Sequence, residues 1–150
     1  MSQSLAKLIT HLTFSTKLRK QLITPEVRTE LRAYLRGILE NLESPSIEIN
    51  CVADHVHVLF CLSRKRSLAE VVEQLKKGSS KWIKTKAPAL ANFYWQAGYG
   101  AFSVSQSNVP AVRKYIVNQE KHHRKMTFQE EFRALLTKHD IEYDERCVWD

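Results

Sequence analysis

The sequence predicts an α+β fold, a single domain in which helices pack on a small antiparallel β-sheet. Three observations carry this. Segments of alternating apolar and polar residues interleave with segments of helical period, in the order strand, helix, two strands, helix, strand, helix, helix. The two adjacent strands are joined by a turn around Ala53 and Asp54, too short for a parallel crossover. A chain of 150 residues, 43% hydrophobic with only four glycines and four prolines, supports one core with no linker, low-complexity segment or internal repeat.

Each element has its own local reason. The stretch AKLITHLTFS, Ala6 to Ser15, alternates as a first strand, and TKLRKQLIT follows as a basic loop. Thr24 stands at a cap position, with Pro25 at the first helical position and Glu26 in the first turn. Leu31, Leu35, Ile38 and Leu42 then repeat at helical spacing to about Glu43, where Ser-Pro-Ser ends the helix. Ile47 to Val52 and His55 to Leu62 form the hairpin. Ser67, with Glu70 three residues on, has capping-box spacing and opens a helix that Gly78 ends or interrupts. Gly100 to Ser105 is the fourth strand. Ser107 or Asn108 caps a helix with Pro110 near its start that runs to about Lys125, and Thr127 caps the last helix.

Lysine and arginine outnumber the acids 23 to 16, a formal charge of +7 and a pI near 9.4, which favours a polyanionic partner, nucleic acid before membrane. The N-terminal MSQSLAKLITHLTF has no signal-peptide core and no apolar run approaches a membrane span, so the expectation is a cytoplasmic protein with no membrane partner. Cys51, Cys61 and Cys147 are odd in number and form no Cys-x-x-Cys pair. They read as reduced thiols.

The chemistry concentrates in two places. In the strand DHVHVLFCL, His55 and His57 are two residues apart and project from one pleated face, a spacing at which two imidazoles can ligate one metal ion. Ordinary strand histidines would look the same. Downstream, Tyr115 and Gln119 are one helical turn apart and offer a phenol beside a neutral oxygen ligand. Tyr99, flanked closely by Gly98 and Gly100, is the competing nucleophile. His122 and His123 are either phosphate or metal contacts or a basic helix end, and Asp54 is either a turn residue or a partner that orients a ligand.

DHVHVLF, KKGSSKWI, YWQAGYGAFSVSQS and YIVNQEKHHRKMTFQEEF together resemble the insertion-sequence-200 type of HUH single-tyrosine transposase, over nearly the whole chain from about Thr10. The resemblance implies a ferredoxin-like sheet of the HUH-endonuclease type. It implies His55, His57 and Gln119 as ligands of Mg²⁺ or Mn²⁺, and Tyr115 as the nucleophile that forms a 5′-phosphotyrosine link and frees a 3′-hydroxyl. Its substrate would be single-stranded DNA with hairpin-containing ends. It also implies a homodimer in which Tyr115 acts in trans. Candidate nucleic-acid contacts are Lys17, Arg19, Lys20, Lys76, Lys77, Ser79, Ser80, Lys81, His122 and His123. Trp82 and Trp95 read either as base-stacking platforms or as packing residues. Two other functions fit the histidine pair less fully: a metal-dependent hydrolase that makes no covalent adduct, and an inert single-strand binding module.

Overall fold

Leu8–Ser15 form β1, which pairs antiparallel on one side with β3 (His55–Leu62) and on the other with β4 (Gly100–Ser103). β3 pairs in turn with β2 (Ser46–Cys51), giving the sheet order β2-β3-β1-β4, the arrangement expected of a ferredoxin-like sheet. The computed structural model describes residues 2–150.

The alternation along β1 and β3 divides the sheet into two faces. Leu12, Phe14, Val56, Val58 and Phe60 point to one side, where α1 (Pro25–Asn41) and α2 (Leu68–Ile83) cover them. Phe14, Phe60 and Phe93 are fully buried there, each contributing about 2–3 kcal/mol by leaving water. Ser67 caps α2 by accepting from the Glu70 amide at 3.1 Å. Gly78 does not break α2, contrary to the sequence reading. It lets α1 approach closely: a Cβ there would meet Ile38 Cδ1 at 2.9 Å.

The opposite face carries α3 (Val109–Val117), α4 (Gln119–His122) and α5 (Phe128–Lys138). Ile9, Leu59 and Ile116 form one apolar cluster under α3, while Phe102, Phe128, Phe132 and Leu136 form another under α5, joined by Val148 and Trp149. Between the two clusters lies a polar strip containing His11, His55 and His57.

Sequence periodicity predicts one helix from residue 109 to about 125, and the structure breaks it at Asn118, whose backbone leaves the helical region (φ −91°, ψ 20°). The cause is tertiary. Asn50 of β2 donates its side-chain amide to the Ile116 carbonyl at 2.8 Å, and Arg113 bonds Glu48 at 3.0 Å, so α3 is tied to its own sheet. The chain then turns into α4.

Gly100 is required by close approach. A Cβ there would stand 2.6 Å from Phe132 Cε2, a rigid ring wedged between β4 and α5. Gly100→Ala should therefore cost about 1–3 kcal/mol, as overpacking does. It should also displace α5 and the Glu131 next to Phe132. Urea unfolding checks the first effect, and metal affinity checks the second. Among the described residues no helix is long and apolar enough to cross a membrane.

Candidate active site

His55 and His57 lie at the start of β3, both fully buried on the face under α3 and α5. Their ring Nε2 atoms face the same carboxylate, Glu131 of α5, whose Oε1 is 3.3 Å from His55 and 2.9 Å from His57. His123, just past α4, brings its Nε2 to 3.1 Å from that oxygen. Gln119 Oε1 is 3.3 Å from His55 Nε2 and 3.0 Å from His123 Nε2, and its amide donates to Glu131 Oε2 at 3.1 Å. Ligand atoms of His55, His57, His123 and Glu131 all lie within 4.8 Å of one another. Three imidazoles, one carboxylate and an adjoining carboxamide oxygen fit a divalent cation.

The remote side of each β3 histidine is also held. Asp54 Oδ1 accepts from His55 Nδ1 at 2.7 Å, so a proton sits on Nδ1 and Nε2 is the nitrogen turned toward the cluster. His57 Nδ1 shares a 2.8 Å hydrogen bond with His11 Nε2 across from β1. One histidine is thus backed by a carboxylate and the other by a neutral ring.

Tyr115 completes the cluster from α3. Its hydroxyl donates to Glu131 Oε2, its ring stands edge-on to His57 with centroids 5.9 Å apart, and it stacks on His122 at 4.7 Å. Burial raises the phenol well above its ordinary pKa, and the Glu131 carboxylate adds to the effect, so the tyrosine is un-ionised and hydrogen-bonded. Burial alone would raise Glu131 too, but His57, His123 and His55 outweigh it and hold the carboxyl far below the usual range. For His55, burial opposes protonation, yet the bonds to Asp54 and Glu131 prevail and raise its pKa. Burial lowers His57.

The sequence-expected site residues His55, His57, Gln119 and Tyr115 therefore converge, and His122 and His123 adjoin them. Tyr99 instead faces the Lys76 ammonium, 5.6 Å from its ring centroid. Two contributors lay outside the expectation, Glu131 and His11. Glu131 had a readable signal: it falls on the apolar stripe of α5 with Phe128, Phe132 and Leu135, where an acid needs a partner. The dimer reading placed Tyr115 in a partner's site. In the structure it stands over its own chain's histidines, because Asn50 and Arg113 dock α3 on its own sheet and Glu131 holds the hydroxyl.

The candidate DNA contacts divide. Lys77, Lys81 and Lys20 are exposed, and Lys17 and Arg19 lie beside the Tyr94 and Trp149 rings. Lys76 is committed elsewhere: its ammonium donates to the carbonyls of Gln96, Ala97 and Gly98 at 2.8, 3.0 and 2.7 Å, and burial lowers its pKa to about 8. Ser79 is not on the surface at all. It is fully buried, donating to Leu75 O at 2.6 Å and accepting from Trp95 Nε1 at 2.9 Å, so it packs Trp95 into the core. Ser80 bonds Phe93 O at 3.4 Å, and Trp82 is stacked by Tyr34. Against the His123 side of the cluster lies an open groove of about 640 Å³ with Arg28, Arg124 and Lys125 along it.

His11 sets an acid limit on stability. Burial, then proximity to His57, lowers its pKa from 6.5 to about 3. A base depressed in the fold adds stability that is complete above pH 6.5 and is lost as pH falls toward 3. His57 acts in the same direction, and Glu131 joins them below the ordinary carboxylate range, while His55 opposes them. In chelator, the urea midpoint should fall from about pH 6.5 to 4, and His11→Gln, which keeps an acceptor for His57, should flatten that slope. An unchanged slope would remove His11 as the cause.

Comparison with known proteins identifies a family and a shared fold. Residues 4–119 match the family model described as "Transposase IS200 like". The ISDra2 transposase TnpA of Deinococcus radiodurans is 27% identical over 114 residues, covering 73% of this chain and 81% of that protein. The transposase for insertion sequence element IS200 of Salmonella typhimurium is 29% identical over 114 residues, covering 73% and 74%. A crystal structure of a protein from Deinococcus radiodurans R1, described as a transposase, superposes with a TM-score of 0.62 at 26% identity over 79% of this chain and 98% of that one. A REP-associated tyrosine transposase bound to a REP hairpin shares the fold, with a TM-score of 0.60 at 16% identity over 82% and 74%. With the family model spanning most of its length and including His55, His57, Tyr115 and Gln119, the chain belongs to the IS200-like transposase family.

Proposed function

We propose that this transposase cleaves and rejoins single-stranded DNA through a covalent tyrosine intermediate, with Tyr115 as nucleophile and a divalent cation held by His55, His57, Gln119 and Glu131, adjoined by His123. The observation that carries the reading is the hydrogen bond from the Tyr115 hydroxyl to Glu131, a carboxylate that itself touches both β3 histidines. One residue thus ties the nucleophile to the metal-ligand set. Mg²⁺ and Mn²⁺ are the proposed ions, with the imidazole-rich set favouring Mn²⁺. When bound, the ion would polarise the scissile phosphate and offset its developing charge.

The chain's own residues perform the rest. Asp54 and His11 hold the two β3 imidazoles in their ligating orientation, and Glu131 orients the phenol by accepting its hydrogen bond, the phenolic proton passing to water as the oxygen attacks. The Tyr115 Oη–P bond forms while the P–O3′ bond breaks. The 3′-oxygen leaves and takes up a proton, giving a 5′-phosphotyrosine and a free 3′-hydroxyl. Attack by a 3′-hydroxyl from another strand reverses these steps and joins the DNA without a nucleotide cofactor.

The groove beside His123, with Arg28, Arg124 and Lys125, is the proposed path for the DNA backbone. Hairpin-containing single strands are the proposed substrate, as in the REP-hairpin complex of the relative that shares this fold. The docking of α3 on its own sheet favours reaction in cis, whether or not two copies associate. Denaturing electrophoresis after incubation with Mn²⁺ and hairpin-bearing single-stranded DNA tests the reading. A covalent protein–DNA adduct supports it, free cleaved product alone points to a hydrolase, and neither points to a binding module.

A further inference from the structure

On another side of Tyr115 the structure holds a cavity of about 410 Å³, separate from the basic groove. Its walls come from α3 and α5. Ala111 and Ala134 are exposed residues on those two helices whose small side chains leave it open, and Val112 and Leu135 make it apolar. The rings of His11, Tyr115, His122 and His139 line it as well, together with Glu131 and Lys138. Its size suits one mononucleotide unit, within the range of small-molecule pockets.

His122 supplies an independent observation. Its ring lies nearly parallel to that of Tyr115, tilted by 27°. Its Nε2 is buried and has no hydrogen-bond partner, the one such buried side-chain atom among the described residues. Buried polar atoms are normally satisfied, so an orphan nitrogen on a residue that lines the cavity is a group that a ligand's polar atom, met by a turn of the ring, would satisfy. The neighbouring groove is lined by Arg28, Arg124 and Lys125 with Asp54, Glu120 and Glu130, an open polar surface suited to a backbone. The cavity beside Tyr115 combines aromatic and aliphatic walls with the polar side chains of Ser103, Asn108, Glu131 and Lys138, a mixture that suits the faces and the polar edge of a base.

We propose that this cavity receives the nucleobase of a nucleotide flanking the cleaved phosphate, with His122 Nε2 hydrogen-bonded to the base edge. The inference rests on the reading of Tyr115 as nucleophile, since a phosphate at its hydroxyl places the next nucleotide against this wall. The pocket thereby makes His122 a specificity residue: it discriminates among bases at one position beside the cut, while the hairpin is held elsewhere.

The test uses the full chain and small probes, so it does not depend on turnover. The four deoxynucleoside 5′-monophosphates and base-free 2-deoxyribose 5-phosphate are titrated separately, following the methyl signals of Ala111 and Ala134 and the ring signals of His122 by NMR. At least one nucleotide should shift all three sets saturably, and the sugar phosphate should not. Ala134→Phe, which fills the cavity from the helix surface, should weaken that binding at least about tenfold. Ala111→Leu does the same from α3 should α5 be disturbed, and signals remote from the cavity report the fold of each variant. His122→Ala should reduce the preference among the four bases. Equal shifts from the sugar phosphate, or none from any nucleotide, overturn the proposal. Base binding without a DNA adduct would overturn the tyrosine chemistry alone, and an adduct without base binding would overturn the pocket alone.

Discussion

Tyr115→Phe should abolish the covalent adduct, reducing cleavage on the order of 10⁴-fold or more, because it removes the attacking atom itself. The ring should stay in place, since it stacks on His122 and packs beside Val112 and Ile116. Loss of the bond to Glu131 should cost about 1–3 kcal/mol of stability, and Gln119 still donates to that carboxylate. DNA affinity, measured by anisotropy, should change little. The variant also decides between cis and trans. Mixed with His57→Ala under conditions where any subunits exchange, it should recover no activity in a cis enzyme. Recovery would mean that the helix bearing Tyr115 serves a neighbour's site. An adduct formed by Tyr115→Phe itself would move the nucleophile elsewhere, with Tyr99 next to test.

The second large effect is expected at Glu131. Glu131→Gln keeps the shape but removes the charge that three imidazoles surround. Mn²⁺ affinity, read by calorimetry or electron paramagnetic resonance, should fall more than about 100-fold, beyond the range typical of outer-shell partners. His57→Ala should do the same. Gln119→Ala should cost about tenfold, because a neutral carboxamide oxygen is the weaker ligand. The phenol of Tyr115 should also titrate closer to its ordinary value in Glu131→Gln, since the carboxylate contributes to its elevation. Undiminished Mn²⁺ binding would confine Glu131 to orienting the tyrosine and leave the histidines and Gln119 as the ligand set. Undiminished cleavage in excess chelator would remove the metal altogether.

Much of this architecture was legible in the residues themselves. The period-2 segments and the Ala53–Asp54 turn specify the β2–β3 hairpin, because alternation assigns each side chain a face and a tight turn forces antiparallel pairing. Ser67 and Thr127 announce helix starts that the structure confirms by hydrogen bonds to the amides three residues on. The shared face of His55 and His57 follows from strand geometry alone. The sequence also contained the turn-spaced Tyr115 and Gln119, although a periodic pattern could not reveal the break between them. That break is made by Asn50, distant in the chain, competing for a helix carbonyl.

Tertiary structure decided what local pattern could not encode. Ser79, Ser80 and Lys76 look like phosphate contacts in a basic helix, yet burial against Trp95 and the loop at residues 96–98 commits Ser79 and Lys76 to holding the fold. His11 and Glu131 are far from β3 in sequence, and only the β1–β3 register and the seating of α5 over Gly100 bring them to His57. The residue types and faces of the site are therefore properties of the sequence, set by strand and helix periods. Which groups share a proton and which surround a carboxylate depend on the packing of three helices against one sheet face, because the contacts of His11 and Glu131 with the β3 histidines join residues 46 to 76 positions apart.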